Sequence, residues 1–269
     1  MDVSYIWRTI RGTVMEKKIA EIKTEFAEAK MEEIAQLCAV YEQDERAGVR
    51  AVVERFRKKL DAWHAEEARL EQMLHYERTY GNLQYICGID EAGRGPLAGP
   101  VVAGAVILPK ECKIAYLNDS KKLSAAKRDQ LYDEIMEKAL AVGVGLASPA
   151  RIDEINILQA TYEAMRMAVA NLSVKPEILL NDAVTIPGIE IPQVAIIKGD
   201  AKSLSIAAAS IIAKVTRDRL MEEYDQIMPE YGFAGHKGYG SAAHIAAIRK
   251  YGPSPIHRAT FIKNFREDA

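Results

Sequence analysis

The chain has 269 residues, 49% of them hydrophobic and 28% charged, with a formal net charge of −2 at pH 7. This composition suits a soluble globular protein of one large domain or two smaller ones. It argues against a uniformly basic coat for nucleic acid while leaving room for a local basic groove. Cys38, Cys87 and Cys112 lie far apart with no CxxC pair, and the five histidines form no HExxH, which argues against a disulfide scaffold or a zinc finger. With no run of about 18 apolar residues and no apolar signal core, no membrane span is expected, and the expected location is cytoplasmic.

The first 80 residues contain no proline and only Gly12 and Gly48 of the 17 glycines, and they read as helix. Ile19, Ile22, Phe26 and Ala29, then Ile34, Leu37, Cys38 and Tyr41, recur at helical spacing. After a break at Asp44 to Gly48, Val49, Val52, Val53, Phe56 and Leu60 form a second amphipathic run, and a third stretch is expected from Asp61 to about Tyr76. Gly81 and Asn82 read as a link, so the expected division is a helical extension over 1–80 and a second domain over 81–269.

From Tyr85 the texture alternates between strand and helix. Tyr85–Ile89, Val101–Leu108, Val142–Ala147, Glu177–Leu180 and Gln193–Ile197 read as strands. Helices are expected from Ser124 to about Leu140, over Ile155–Leu172, over Ser203–Met228 and over Ser241–Lys250, the last stopped by Gly252 and Pro253. Mixed strands and helices imply a layered α/β domain.

The most unusual stretch runs from Gly88 to Pro100. Two adjacent carboxylates, Asp90 and Glu91, end an apolar run, and a glycine-rich turn follows. A phosphate-binding GxxxxGK[ST] loop fails because Arg94 and Gly95 occupy the Lys and Ser/Thr positions. A dinucleotide GxGxxA turn must open a helix, whereas Pro96 and the β-branched run after it open a strand. A metal site on a strand end, with the turn beside it touching a ligand backbone, accounts for both the acids and the glycines. A tight hairpin with surface acids remains the plain alternative. Asp182 and Asp200 each close a further apolar run, where open α/β sheets place ligand sites, although either alone also suits a turn or helix-capping aspartate. Together Asp90, Glu91, Asp182 and Asp200 offer four hard oxygen ligands without His or Cys, a set that favours Mg²⁺ or Mn²⁺ over zinc.

These residues carry a family resemblance. GIDEAGRGPLAGPVVAGAVILP, with Asn118 to Ser124, Asp153 to Asn156, KGDAKSLSIAAASIIAKVTRDRLM and GHKGYGS, resembles bacterial ribonuclease HII, the type 2 ribonuclease H, over about residues 82–266 and with a long N-terminal helical extension. The resemblance implies an RNase H-like α/β fold: a central mixed sheet flanked by helices, with a C-terminal helical part. It implies an endonuclease that hydrolyses RNA in RNA–DNA hybrids and cuts 5′ of single ribonucleotides embedded in duplex DNA, leaving 3′-hydroxyl and 5′-phosphate ends, in ribonucleotide and primer removal. The four acidic ligands of two divalent ions, Mn²⁺ or Mg²⁺, fall on Asp90, Glu91, Asp182 and Asp200, with Asp218 a rival for the fourth place. In the family the GRG turn reads 2′-hydroxyls, which maps to Gly93, Arg94 and Gly95. The GYG tyrosine, Tyr239, stacks on the following sugar, and Lys121 and Lys122 face phosphates. Asn181 is a polar departure where the family carries an apolar residue. The expected partners are RNA–DNA hybrid and ribonucleotide-containing duplex, with no membrane, and the expected state is a monomer. Two rivals are a non-catalytic hybrid-binding module and a DNA-cutting nuclease of the same fold. The extension, through Arg55, Arg57, Lys58 and Lys59, is read as an aid to duplex binding, a partner-docking arm or a stabilising cap.

Overall fold

The computed structural model describes residues 17–265. The first 16 residues of the expected extension and residues 266–269 of the expected second domain lie outside the described residues. The chain divides into two compact units between Arg69 and Leu70.

In the first unit α1 (Ile19–Glu28) and α2 (Met31–Val40) pack with the start of α3 (Ala47–Met73) around Ile22, Phe26, Ile34, Val49 and Phe56. The chain breaks between α1 and α2 without glycine or proline. Ala29 and Lys30 turn extended, and Glu33 accepts the Lys30 N–H at 2.9 Å, taking up one donor that the new helix leaves free. Tyr41 donates its hydroxyl to Glu25 at 2.7 Å at the edge of this core. The second and third helical runs expected from the sequence are one continuous 27-residue helix, because nothing between Gly48 and Gly81 interrupts it until Leu74.

Leu70, Met73 and Leu74, with α4 (His75–Thr79), belong to the second unit, where they join a core with Leu108, Leu131 and Leu204. The unit is therefore held from Leu70 onward, whereas the glycine and proline texture of the sequence begins only at residue 81. Five strands form one mixed sheet in the order β3-β2-β1-β4-β5: β1 (Ile86–Ala92), β2 (Val101–Ile107), β3 (Ala141–Ala147), β4 (Ile178–Asp182) and β5 (Gln193–Ile196). β1 pairs antiparallel with β2 and parallel with β4. The carboxyl ends of β1 and β4 therefore emerge side by side, which brings Asp90 and Asp182 to one edge of the sheet.

The strand period sorts side chains between the two faces. Cys87, Ile89, Val101, Ala103, Ala105 and Ile107 point toward α6 (Pro149–Ala170), the helical run that Asn156 interrupts at φ 67° and ψ 164°. The opposite face receives α5 (Ala125–Lys138) and α7 (Leu204–Ile227). Here glycine sets the spacing. A Cβ on Gly88 would lie 2.1 Å from the Ser205 carbonyl carbon and one on Gly104 2.5 Å from the Ala209 oxygen, so α7 lies directly on the sheet backbone. The small residues Ala207, Ala208 and Ala209 make this approach possible, as the apolar reading of that stretch implies. The C-terminal helical part comprises α8 (Phe233–His236) and α9 (Ala242–Tyr251), packed around Tyr231, Phe233 and Ala247. The expected central mixed sheet with helices on both faces is present. Among the described residues no helix is long and apolar enough to cross a membrane.

Candidate active site

Asp90 and Glu91 belong to the last turn of the β1 ladder rather than following it, since pairing continues to Ala92. Asp90 alternates with Ile89 and so faces α7, opposite Gly104, where the missing side chain leaves room for it. It is 6% exposed, and its Oδ1 accepts the Glu91 N–H at 2.7 Å. Asp182 is the last residue of β4, and its Oδ1 accepts the Gly199 N–H at 2.7 Å. That bond ties the β4 end to the short 3₁₀ turn Gly199–Ala201 that carries Asp200. β5 stops at Ile196, and Lys198 enters the left-handed region at φ 57°, so Asp200 sits on a turn after the strand and not at its end.

The four carboxylates act on one another electrostatically, with the Asp182 charge common to the other three. Burial, then the charges of Glu91 and Asp182, push the Asp90 carboxyl well above the usual range, against the Ser210 hydroxyl. Burial raises Glu91, opposed by Arg94 at 3.2 Å and by Lys121 and reinforced by Asp182. Burial, then Asp119 and Asp182, raise Asp200, with Lys121 opposing. Like charges this close are costly unless a cation joins them. The donor set is oxygen only, which suits a hard divalent ion. Among the described residues no three such side chains are drawn into a ready-made cage. Those of Asp90, Glu91 and Asp182 are instead engaged by protein donors.

A cleft of about 400 Å³ opens here, lined by Asp90, Glu91, Gly93 to Gly95, Lys121, Lys214 and Tyr239. Lys122, Asp182 and Asp200 do not line it. Lys122 is 60% exposed, with Asp119 3.9 Å from its amine. Tyr239 is 46% exposed beside the turn, 3.9 Å from where a Gly95 Cβ would be. Asp218 is paired with Lys214 at 2.8 Å and faces Arg128 at 3.7 Å; it lines an adjoining recess and not the cleft, with Lys214 lining both.

Sequence reasoning missed the two arginines that shape the turn. Arg258 donates to the carbonyls of Gly93, Arg94 and Gly99, and Arg217 to those of Ala98, Pro100 and Lys237. Both are fully buried. Ser120, Asp119 and Ser210 were also missed; short polar residues in loops and helices carry no periodic signal.

A family model described as ribonuclease HII matches residues 87–264, and one described as ribonuclease HII N-terminal domain matches 18–81. The ribonuclease HII of Lachnoclostridium phytofermentans is 66% identical over 224 residues, covering 83% of this chain and 88% of that protein. The ribonuclease HII of Clostridioides difficile is 52% identical over 254 residues, covering 93% and 99%. Among solved structures, ribonuclease H2 from Pyrococcus horikoshii is similar with a TM-score of 0.56 at 30% identity, covering 68% of this chain and 100% of that one. The chain thus belongs to the ribonuclease HII family, endonucleases that hydrolyse RNA in RNA–DNA hybrids.

Proposed function

We propose that this chain cuts duplex DNA on the 5′ side of an embedded ribonucleotide, as well as RNA in longer hybrids, leaving 3′-hydroxyl and 5′-phosphate ends. The observation that carries the reading is the meeting of Asp90 and Asp182 at the adjoining carboxyl ends of β1 and β4, with Asp182 tied through Gly199 to the turn that bears Asp200. Asp90, Glu91, Asp182 and Asp200 would hold two divalent ions, Mg²⁺ or Mn²⁺. When bound, such ions supply an activated water and charge neutralisation at the leaving 3′-oxygen. The chain's own part is to fix the carboxylates: the Gly199 N–H orients Asp182, and the Glu91 N–H and the Ser210 hydroxyl orient Asp90.

Substrate choice rests on the turn. The Arg94 and Gly95 N–H groups have no hydrogen-bond acceptor among the described residues, and both residues line the cleft. A 2′-hydroxyl can accept from such donors, and it is the group that separates ribose from deoxyribose. Tyr239 beside Gly95 presents an exposed ring to the next sugar, on which deoxyribose packs better than ribose. Lys121 and Lys214 offset the acids and meet phosphates, with Lys122 at the rim in salt-sensitive contact. In the N-terminal unit Arg55 and Lys59 flank the Phe56 ring at 4.9 Å and 5.6 Å, and we assign residues 1–80 as an aid to duplex binding. Ribonucleotide and primer removal by a cytoplasmic monomer completes the reading.

The test replaces Tyr239 by Ala. Because the side chain is half exposed, unfolding stability should change by less than about 1 kcal/mol. Turnover of a duplex with one ribonucleotide should fall about 5- to 150-fold, as expected when a stacking platform worth about 1–3 kcal/mol is lost. Unchanged turnover and unchanged discrimination at the following sugar would remove Tyr239 from the site.

A further inference from the structure

Arg217 and Arg258 are 1% and 0% exposed, the largest fully buried side chains among the described residues. Buried guanidinium groups are ordinarily paired with carboxylates. Neither makes an ion pair among the described residues: Asp153, the acid that acts on Arg258, accepts the Ala259 and Thr260 N–H groups, and Asp218, which acts on Arg217, pairs with Lys214. The two arginines also repel each other. Their hydrogen-bond partners are main-chain carbonyls alone, three for each side chain, and the Arg258 guanidinium also lies over the Phe261 ring, 5.1 Å from its centroid.

The arrangement has a directional consequence. Arg258 draws the Gly93 and Arg94 carbonyls inward, so the peptide groups of the turn face the protein with their oxygens. The following N–H groups, those of Arg94 and Gly95, belong to these same peptides and point to the other side, toward the cleft, because a trans peptide opposes its N–H and C=O. Gly93 is needed for this. At φ 92° it takes a conformation open to glycine, and a Cβ there would lie 2.1 Å from the Arg217 Nε. Arg217 joins the second substrate-facing segment to the first, since its three carbonyls include that of Lys237, two residues before Tyr239. Two positive charges, neither in an ion pair among the described residues, thus lie directly behind donors aimed at a polyanionic substrate.

We propose that Arg258 and Arg217 are positioning residues for ribonucleotide recognition, a carbonyl clamp that turns the Arg94 and Gly95 N–H groups toward the 2′-hydroxyl and holds Tyr239 in register with them. This rests on the proposed reading of the turn as the 2′-hydroxyl sensor. The clamp needs the planar fork of arginine and not merely its charge.

The full chain and its Arg258→Lys and Arg217→Lys variants are tested for binding, in EDTA, to a DNA duplex with one ribonucleotide and to the same duplex as DNA throughout. kcat and KM on the ribonucleotide duplex follow in Mg²⁺, and thermal unfolding checks the fold. The clamp predicts folded variants that bind all-DNA duplex as the wild type does. Their preference for the ribonucleotide duplex, and their kcat, should fall about 10- to 100-fold, the cost of a sub-ångström misplacement. A folded variant that keeps the wild-type preference overturns the clamp. Loss of fold in both variants also overturns it, by making the arginines structural supports. A wild type without preference for the ribonucleotide duplex fails the underlying reading instead, whatever the variants do.

Discussion

The Nε2 atoms of His244 and His257 lie 2.9 Å apart in the C-terminal helical part, and both ends of the pair fix which one donates. His244 Nδ1 faces the Tyr239 carbonyl at 2.9 Å, which can only accept. His257 Nδ1 receives the Ser254 backbone N–H at 2.9 Å, so it must accept. With one proton on each ring, His257 donates to His244 and His244 donates to Tyr239. A second proton on either ring sets N–H against N–H.

This relay makes stability depend on pH with a definite sign. Burial lowers the pKa of His244, reinforced by the charge of His236, whose ring stacks on it at 4.3 Å. A histidine whose folded pKa is depressed binds fewer protons folded than unfolded. Its contribution is fully present above the unfolded value near 6.5 and is lost as pH falls toward the folded one. The stability advantage of wild type over His244→Asn, measured by urea unfolding, should therefore shrink between pH 7.5 and 5.5, by at most about 1.4 kcal/mol per pH unit. An advantage that stays constant or grows in acid would contradict the assigned protons.

Asp90 makes the opposite trade between stability and function. Its carboxyl is raised by burial and by Glu91 and Asp182, so in the ionised form it costs folding free energy when no cation is present. Asp90→Asn keeps an oxygen for the Glu91 N–H and removes the charge. In metal-free buffer at pH 8 the variant should be more stable than wild type by about 1 kcal/mol or more, while cleavage is abolished. Chemical denaturation in EDTA checks the first part. A less stable variant would show that the acids are not in electrostatic conflict.

The contact of β1 with α7 depends on Gly88. A Cβ there meets the Ser205 and Ile206 backbone at 2.1 to 2.3 Å, and neither can move without lifting the helix from the sheet. Gly88→Ala should cost at least about 3 kcal/mol, the upper range for overpacking, and lower activity by displacing Asp90 two residues on. Wild-type unfolding and turnover in this variant would contradict the close packing.

Sequence reading reaches furthest where chemistry and period coincide. The runs ending at Asp90 and Asp182 are apolar and β-branched, so their strands and their shared edge were visible, and the glycine turn between two strands excluded helix-opening phosphate motifs. The interruption at Asn156 and the break at Ala29 and Lys30 were not visible, because side chain-to-backbone capping sets them and not composition: Asn156 Oδ1 accepts the Leu158 and Gln159 N–H groups. Asp200 was expected at a strand end, but one left-handed residue, Lys198, carries the chain into a turn first. Arg217 and Arg258 were silent in sequence, since an arginine in a helix or a loop reads as a surface charge until the carbonyls around it are known. Asn181 is legible only as a departure. Its side chain lies on the face of the sheet opposite to Asp90 and Asp182, donating to Gln193 Oε1 at 2.8 Å, and Gln193 in turn holds Ile186.

The most direct test of the central claim is cleavage of an end-labelled DNA duplex carrying one ribonucleotide, in Mg²⁺ and in Mn²⁺, with Asp200→Asn alongside. A single cut 5′ of the ribonucleotide is expected, leaving 3′-hydroxyl and 5′-phosphate ends. The rate in Asp200→Asn should be reduced about 100-fold or more, because two-ion phosphodiester hydrolysis requires the full carboxylate set. Cutting confined to long RNA–DNA hybrids, or an Asp200→Asn enzyme as active as wild type, would contradict it.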